Sequence, residues 1–119
     1  MKLVNFNENL AEIQESIHES IRYENLNQFI DSGGSEQINL NFKINLNPHT
    51  QYYPIQLASV RGCSKIIKEM IKNPTVDIHV VDQETGVNCF WLAAFYGNGT
   101  TMKILAENGI DVMNVHNKT

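Results

Sequence analysis

Tyr53-Pro54-Ile55-Gln56-Leu57-Ala58-Ser59-Val60-Arg61-Gly62 and Asn88-Cys89-Phe90-Trp91-Leu92-Ala93-Ala94-Phe95-Tyr96-Gly97 are two versions of one pattern. Leu57 matches Leu92, Ala58 matches Ala93 and Gly62 matches Gly97, each at a spacing of 35. Further on, Ile67 meets Met102, Met70 meets Leu105 and Asn73 meets Asn108 at the same spacing. Val76-Asp77-Ile78 then meets Ile110-Asp111-Val112 at a spacing of 34. The one-residue slip falls in a loop, where an insertion costs least. Self-similarity at such a period marks a chain assembled from repeated supersecondary units.

Each unit reads as two helices. Pro54 and Cys89 open the first, at a turn where a missing N–H is harmless. Leu57-Ala58 and Leu92-Ala93-Ala94 follow, and the small alanines let neighbouring helices approach closely. Gly62 and Gly97 end that helix, because glycine tolerates the left-handed cap conformation. In the second helix, Ile66, Ile67, Met70 and Ile71 are apolar at helical spacing, with Met102, Ile104, Leu105 and Ala106 as counterparts. Pro74 stops the first of these second helices and Gly109 the other.

A weaker copy lies upstream. Ser20 to Leu26 occupies the register of Ala58 to Ser64, and Ile38-Asn39-Leu40 that of Val76-Asp77-Ile78, at a spacing of 38. Residues 33–37 form an extended loop in this reading, and Glu24 stands where the other copies carry glycine. Asn9 and Glu12 give a capping-box-like helix start, with Leu10, Ile13, Ile17 and Ile21 as a narrow apolar stripe. An atypical terminal copy is expected, because one of its faces meets water. A runner-up reading makes this a partner-binding amphipathic helix.

The pattern resembles the ankyrin-repeat family. Its motif, Thr-Pro-Leu-His-x-Ala-Ala-x-x-Gly followed by an Ile-Val-x-x-Leu-Leu helix and Gly-Ala-Asp-Val-Asn, is matched by Pro54-Ile55-Gln56-Leu57-Ala58 with Gly62, by Ile66-Ile67 with Met70-Ile71, and by Val76-Asp77-Ile78-His79. It recurs as Leu92-Ala93-Ala94 with Gly97 and as Gly109-Ile110-Asp111-Val112-Met113. The resemblance implies an all-α solenoid of stacked helix–turn–helix units with hairpin-like loops, one domain over 1–119. Its parts would be a degenerate capping repeat at 9–49 and repeats at 50–84 and 85–119. The family's Thr is Tyr53 and Asn88 here, and its His is Gln56 and Trp91. Asn88 can cap a helix as Thr does, Tyr53 cannot, and Trp91 is expected to fill space. Another repeat would normally begin at residues 117–119. Ala93 and Phe90 are therefore expected to lack a downstream neighbour, as in a fragment of a longer array or an end that docks elsewhere.

Composition narrows the function classes. The chain has 119 residues, 42% of them hydrophobic, enough for one core. A net charge of -4 and a pI near 5.5 leave no basic stripe for phosphates, so nucleic acid is not an expected partner. No apolar run approaches the ~20 residues of a membrane span, and no signal-peptide core is present at the N-terminus, so a cytoplasmic protein is expected. Cys63 and Cys89 form no CxxC pattern and read as reduced thiols.

The resemblance also implies where a partner binds: a concave face made by the first helices and the hairpin tips. The two residues before each cap position are Arg22 and Tyr23, Val60 and Arg61, and Phe95 and Tyr96, which stack as a ladder. Tyr and Arg are enriched at binding hot spots. Asp82 and Glu84 project from the tip between the two good copies, and residues 45–52 make a longer first tip. The expected function is a non-catalytic scaffold for a protein partner. The alternative is a structural segment wedged by its ends into a larger assembly. No catalytic, cofactor or metal residue is assigned. His49, His79 and His116 read as turn residues. Cys63 lies near a helix start, which lowers a thiol pKa, but no base stands beside it in the sequence.

Overall fold

A computed structural model describes residues 6–36, 38–82 and 84–112. Among these residues the elements follow in the order α1 (Phe6–Arg22), α2 (Leu26–Asp31), β1 (Ile44–Asn47), β2 (Thr50–Tyr52), α3 (Pro54–Arg61), α4 (Ser64–Lys72), α5 (Cys89–Phe95) and α6 (Gly99–Glu107).

The paired pattern appears as paired helices. α3 packs on α4 and α5 on α6, while α3 also packs on α5 and α4 on α6. The first pair, α1 with α2, joins this arrangement through α1 against α3 and α2 against α4. One core cluster runs through all three pairs, from Ile17, Ile21 and Phe29 through Ala58, Ile67 and Met70 to Ala93 and Leu105. Ala58 and Ala93 sit at 0% exposure, where larger side chains would force the first helices apart, whereas Ala94 is exposed.

The cap positions explain the breaks between paired helices. Gly62 and Gly97 adopt φ of +70° and +72°. Glu24, in the matching place of the first pair, adopts φ +53°, the one non-glycine residue with positive φ among those described. An L side chain pays for that conformation. Glu24→Gly is therefore expected to raise the unfolding free energy by about 0.5 kcal/mol, the relieved strain being partly offset by the freer unfolded chain. Urea titration beside Glu24→Ala, which keeps the β-carbon, checks this; an equal gain in both variants would contradict it. At Gly62 a second constraint applies. A β-carbon there would lie 2.7 Å from Asn98 Oδ1. Asn98 is held in place because its Nδ2 donates to Ser59 O at 2.7 Å and Val60 O at 3.0 Å.

The all-α solenoid expectation is overturned. β1 and β2 form an antiparallel hairpin with Ile44 opposite Tyr52, Asn45 opposite Gln51 and Asn47 opposite Thr50. Asn47 Oδ1 accepts from His49 N–H at 2.9 Å, which turns the chain before the returning strand. The radius of gyration, 13.9 Å, is close to the ~13.5 Å of a compact domain of this length, so the shape is that of a globule. Three helix pairs are too few for an elongated stack, and the hairpin and the long loop after α2 fold against them.

Other expectations need correction at the ends. α1 begins at Phe6, so Asn9 lies inside the helix and is not its cap. Leu10 is 46% exposed and drops out of the apolar stripe, whereas Ile17 and Ile21 are fully buried. Ala93 is fully buried within the described residues, whereas Phe90 is half-buried. Gln37, Gln83 and residues 113–119, which include Met113 and His116, lie outside the described residues.

The N-caps follow side-chain chemistry. Asn88 Oδ1 accepts from Trp91 N–H at 2.8 Å and Asn25 Oδ1 from Gln28 N–H at 3.0 Å. At α3 the cap works in reverse: Gln56 Oε1 accepts from Tyr53 N–H at 2.9 Å.

Candidate binding face

The ends of α1 and α3 meet above the hairpin. Arg22, Val60 and Arg61 line one cleft of about 350 Å³ together with His18, Leu46 and Leu57. Arg61 Nη2 donates to Arg22 O at 2.9 Å, placing a cation on the C-terminal carbonyls of α1, where the helix dipole favours it. The Arg22 guanidinium lies 5.5 Å from the centre of the Tyr23 ring. Arg61 is thus both exposed and tied to its neighbour, and part of its role is to dock α1 on α3.

α5 carries the second group. Phe95 is 67% exposed and Tyr96 51%. Trp91 stacks on Phe95 with ring centres 5.0 Å apart and planes 14° from parallel. Tyr96 meets Phe95 edge-on at 5.1 Å. Trp91 is half-buried and at the same time part of an aromatic cluster with Phe95 and Tyr96. Its position four residues before Phe95 puts both on one helix face, a signal that the spacing alone carries.

The third group is the loop between the two C-terminal helix pairs. Asp82 Oδ1 accepts from Glu84 N–H at 2.8 Å and Thr85 N–H at 3.0 Å, so Asp82 builds the turn that presents Glu84. Asp82 and Glu84 line a second cleft with Lys43, His49, Tyr53 and Gln56. The loops and α5 are near enough to interact electrostatically. Burial, then Tyr96 and Asp82, push the Tyr52 phenol above its ordinary pKa. The sequence ladder is therefore divided: Arg22, Val60 and Arg61 share a cleft with Tyr23 beside it, Phe95 and Tyr96 join Trp91, and Asp82 and Glu84 form part of a separate cleft.

The cysteines behave otherwise than a helix start suggests. Cys63 is 4% exposed, its Sγ donates to Ile21 O at 3.4 Å, and burial pushes its pKa up to about 11. Cys89 is fully buried, and burial pushes it up to about 12. The expected lowering at Cys63 is thus reversed, and neither thiol is poised as a nucleophile at neutral pH. The fold favours the protonated thiols, so their contribution is complete below about pH 9 and declines as pH rises towards 11 and 12. Between pH 8 and pH 10 the unfolding free energy is expected to fall by about 1 kcal/mol per thiol. Urea titrations of the wild type and Cys89→Ala check this; an unchanged alkaline slope in the variant would contradict it.

Among the described residues no group of three His, Cys, Asp or Glu side chains is placed to hold a metal ion, and no helix is long and apolar enough to cross a membrane. His49 and His79 are exposed turn residues. No protein-family model, no curated protein and no solved structure matches the chain.

Proposed function

We propose that this chain is a non-catalytic protein-interaction module of the reducing cytoplasm. It binds a protein partner through the face where the ends of α1, α3 and α5 meet the loops. The observation that carries this reading is the aromatic cluster at the end of α5, where exposed Phe95 and Tyr96 pack with half-buried Trp91. Aromatic side chains bring large contact area at low entropic cost, and exposing them to water has no benefit for the isolated fold. Tyr23, Arg22 and Arg61, at the ends of α1 and α3, add a separate group of the residue types that dominate binding energy. The resemblance to ankyrin repeats belongs to this proposal for the repeated helix pair, not for the architecture as a whole. Two buried, free thiols suit a compartment that keeps cysteines reduced.

The test is affinity capture from the native cell extract with three baits: wild type, Arg61→Ala/Tyr96→Ala, and Lys65→Ala/Lys68→Ala on α4. The expected result is loss of one partner set from the first variant alone, with all three baits showing cooperative unfolding. Recovery of the same partners by all three would overturn the proposal and favour a segment held in an assembly by its ends.

A further inference from the structure

Gln56 carries an unanswered donor. The residue is 2% exposed, and its Oε1 is committed to Tyr53 N–H at 2.9 Å. That bond fixes the amide orientation, because a flipped amide would set two donors against each other. Nε2 is left buried without a hydrogen-bond partner. A buried polar group in this state destabilises the free fold. Yet Gln56 borders the cleft of about 360 Å³ between the hairpin and the Asp82 loop, so an acceptor oxygen entering there reaches the donor with a small shift of the side chains that cover it.

The rest of the cleft says what else the ligand carries. Its cation, Lys43, lies 5.7 Å from the centre of the Tyr53 ring and is partly engaged there. Asp82 spends only Oδ1 on the turn, leaving Oδ2 available. The Glu84 carboxylate makes no hydrogen bond or ion pair among the described residues, and it is exposed. The cleft thus offers a buried donor beside two carboxylates. An anion such as a phosphate would face those carboxylates, whereas an extended peptide bearing a cation satisfies both parts.

We propose that this cleft binds an extended peptide segment of a protein partner, with a main-chain carbonyl accepting from Gln56 Nε2 and an Arg or Lys side chain meeting Asp82 and Glu84. It rests on the protein-binding reading and adds a second point of attachment to the aromatic face. The main chain suits the site because it supplies carbonyls at regular intervals. The guanidinium or ammonium group pairs with the Asp82 carboxylate, which the turn orients through Oδ1, and with the neighbouring Glu84 carboxylate.

The test is titration of the ¹⁵N-labelled protein with a capped Gly-Ala-Arg-Ala-Gly peptide, its citrulline counterpart and methylguanidinium, read at the Gln56 side-chain amide in two-dimensional spectra. Gln56→Met assigns that signal. The arginine peptide is expected to move it, with the citrulline peptide binding roughly tenfold more weakly and methylguanidinium leaving it in place. Asp82→Asn/Glu84→Gln keeps the turn-forming Oδ1 and is expected to reduce the arginine peptide to the citrulline level. An unmoved Gln56 amide at about 10 mM peptide, equal responses to the two peptides, or shifts confined to Trp91 and Tyr96 would each overturn the inference. The last outcome would leave the aromatic face standing as a protein-binding surface, so the two readings fail separately.

Discussion

Asn73→Ala is expected to lower the unfolding free energy by about 3 kcal/mol, a large part of the stability of a domain this size. Asn73 is 2% exposed and follows the last residue of α4. Its Nδ2 donates to Gly34 O and Ile38 O, both at 2.8 Å. Its Oδ1 accepts from Thr75 N–H at 2.9 Å and from the Thr75 hydroxyl at 2.6 Å. Thr75 in turn receives Leu40 N–H on Oγ1 at 3.0 Å, and its carbonyl accepts from Asn41 Nδ2 at 2.7 Å. One side chain therefore fastens the long loop after α2 to the end of α4. Alanine would leave buried carbonyls and an N–H unanswered, which costs more than the bonds themselves contribute. Asn108 provides an internal control, since it holds the same register. It is exposed and, among the described residues, its side chain donates only to Ile104 O of the preceding helix, at 2.8 Å. Asn108→Ala is expected to cost less than about 1 kcal/mol. Urea titration of both variants decides the matter, and equal losses would contradict this account of the loop.

Phe29→Ala is expected to cost about 4 kcal/mol. The ring is fully buried, at the point where the six-residue α2 meets the core. Gly34 lies directly over it: a β-carbon there would come within 2.4 Å of Phe29 Cζ. Ring and backbone are fitted to each other, so the space left by alanine cannot collapse without moving the loop that Asn73 holds. Phe29→Leu, which refills most of that volume, is expected to lose clearly less. Thermal unfolding of the three proteins checks the order. A loss below about 1 kcal/mol for alanine would mean that α2 is not part of the cooperative core.

Much of this was legible in the sequence, for identifiable reasons. α3 to α6 follow from the spacing of 35 because glycine caps, small alanines and apolar second helices each leave a residue-type signature. Glu24 was legible as an oddity, and its positive φ explains it. The hairpin was not legible as strands. β1 buries only Ile44 of its four residues, and three asparagines and a proline nearby read as loop. The start of α1 was misplaced because Asn9 and Glu12 imitate a cap within a helix that already runs from Phe6. In the candidate face, register brought Arg22, Val60 and Arg61 together. Trp91 was missed because its motif position suggested packing. The Gln56 donor was invisible in sequence, because an unpaired atom depends on what fails to approach it in space.

The most direct measurement of the central claim is hydrogen–deuterium exchange on the complex between this chain and its captured partner. The account predicts new protection over residues 18–23, 57–61 and 90–96, with α4 and α6 unchanged. Protection confined to α4 and α6, leaving the aromatic cluster of α5 as exchangeable as in the free protein, would contradict it.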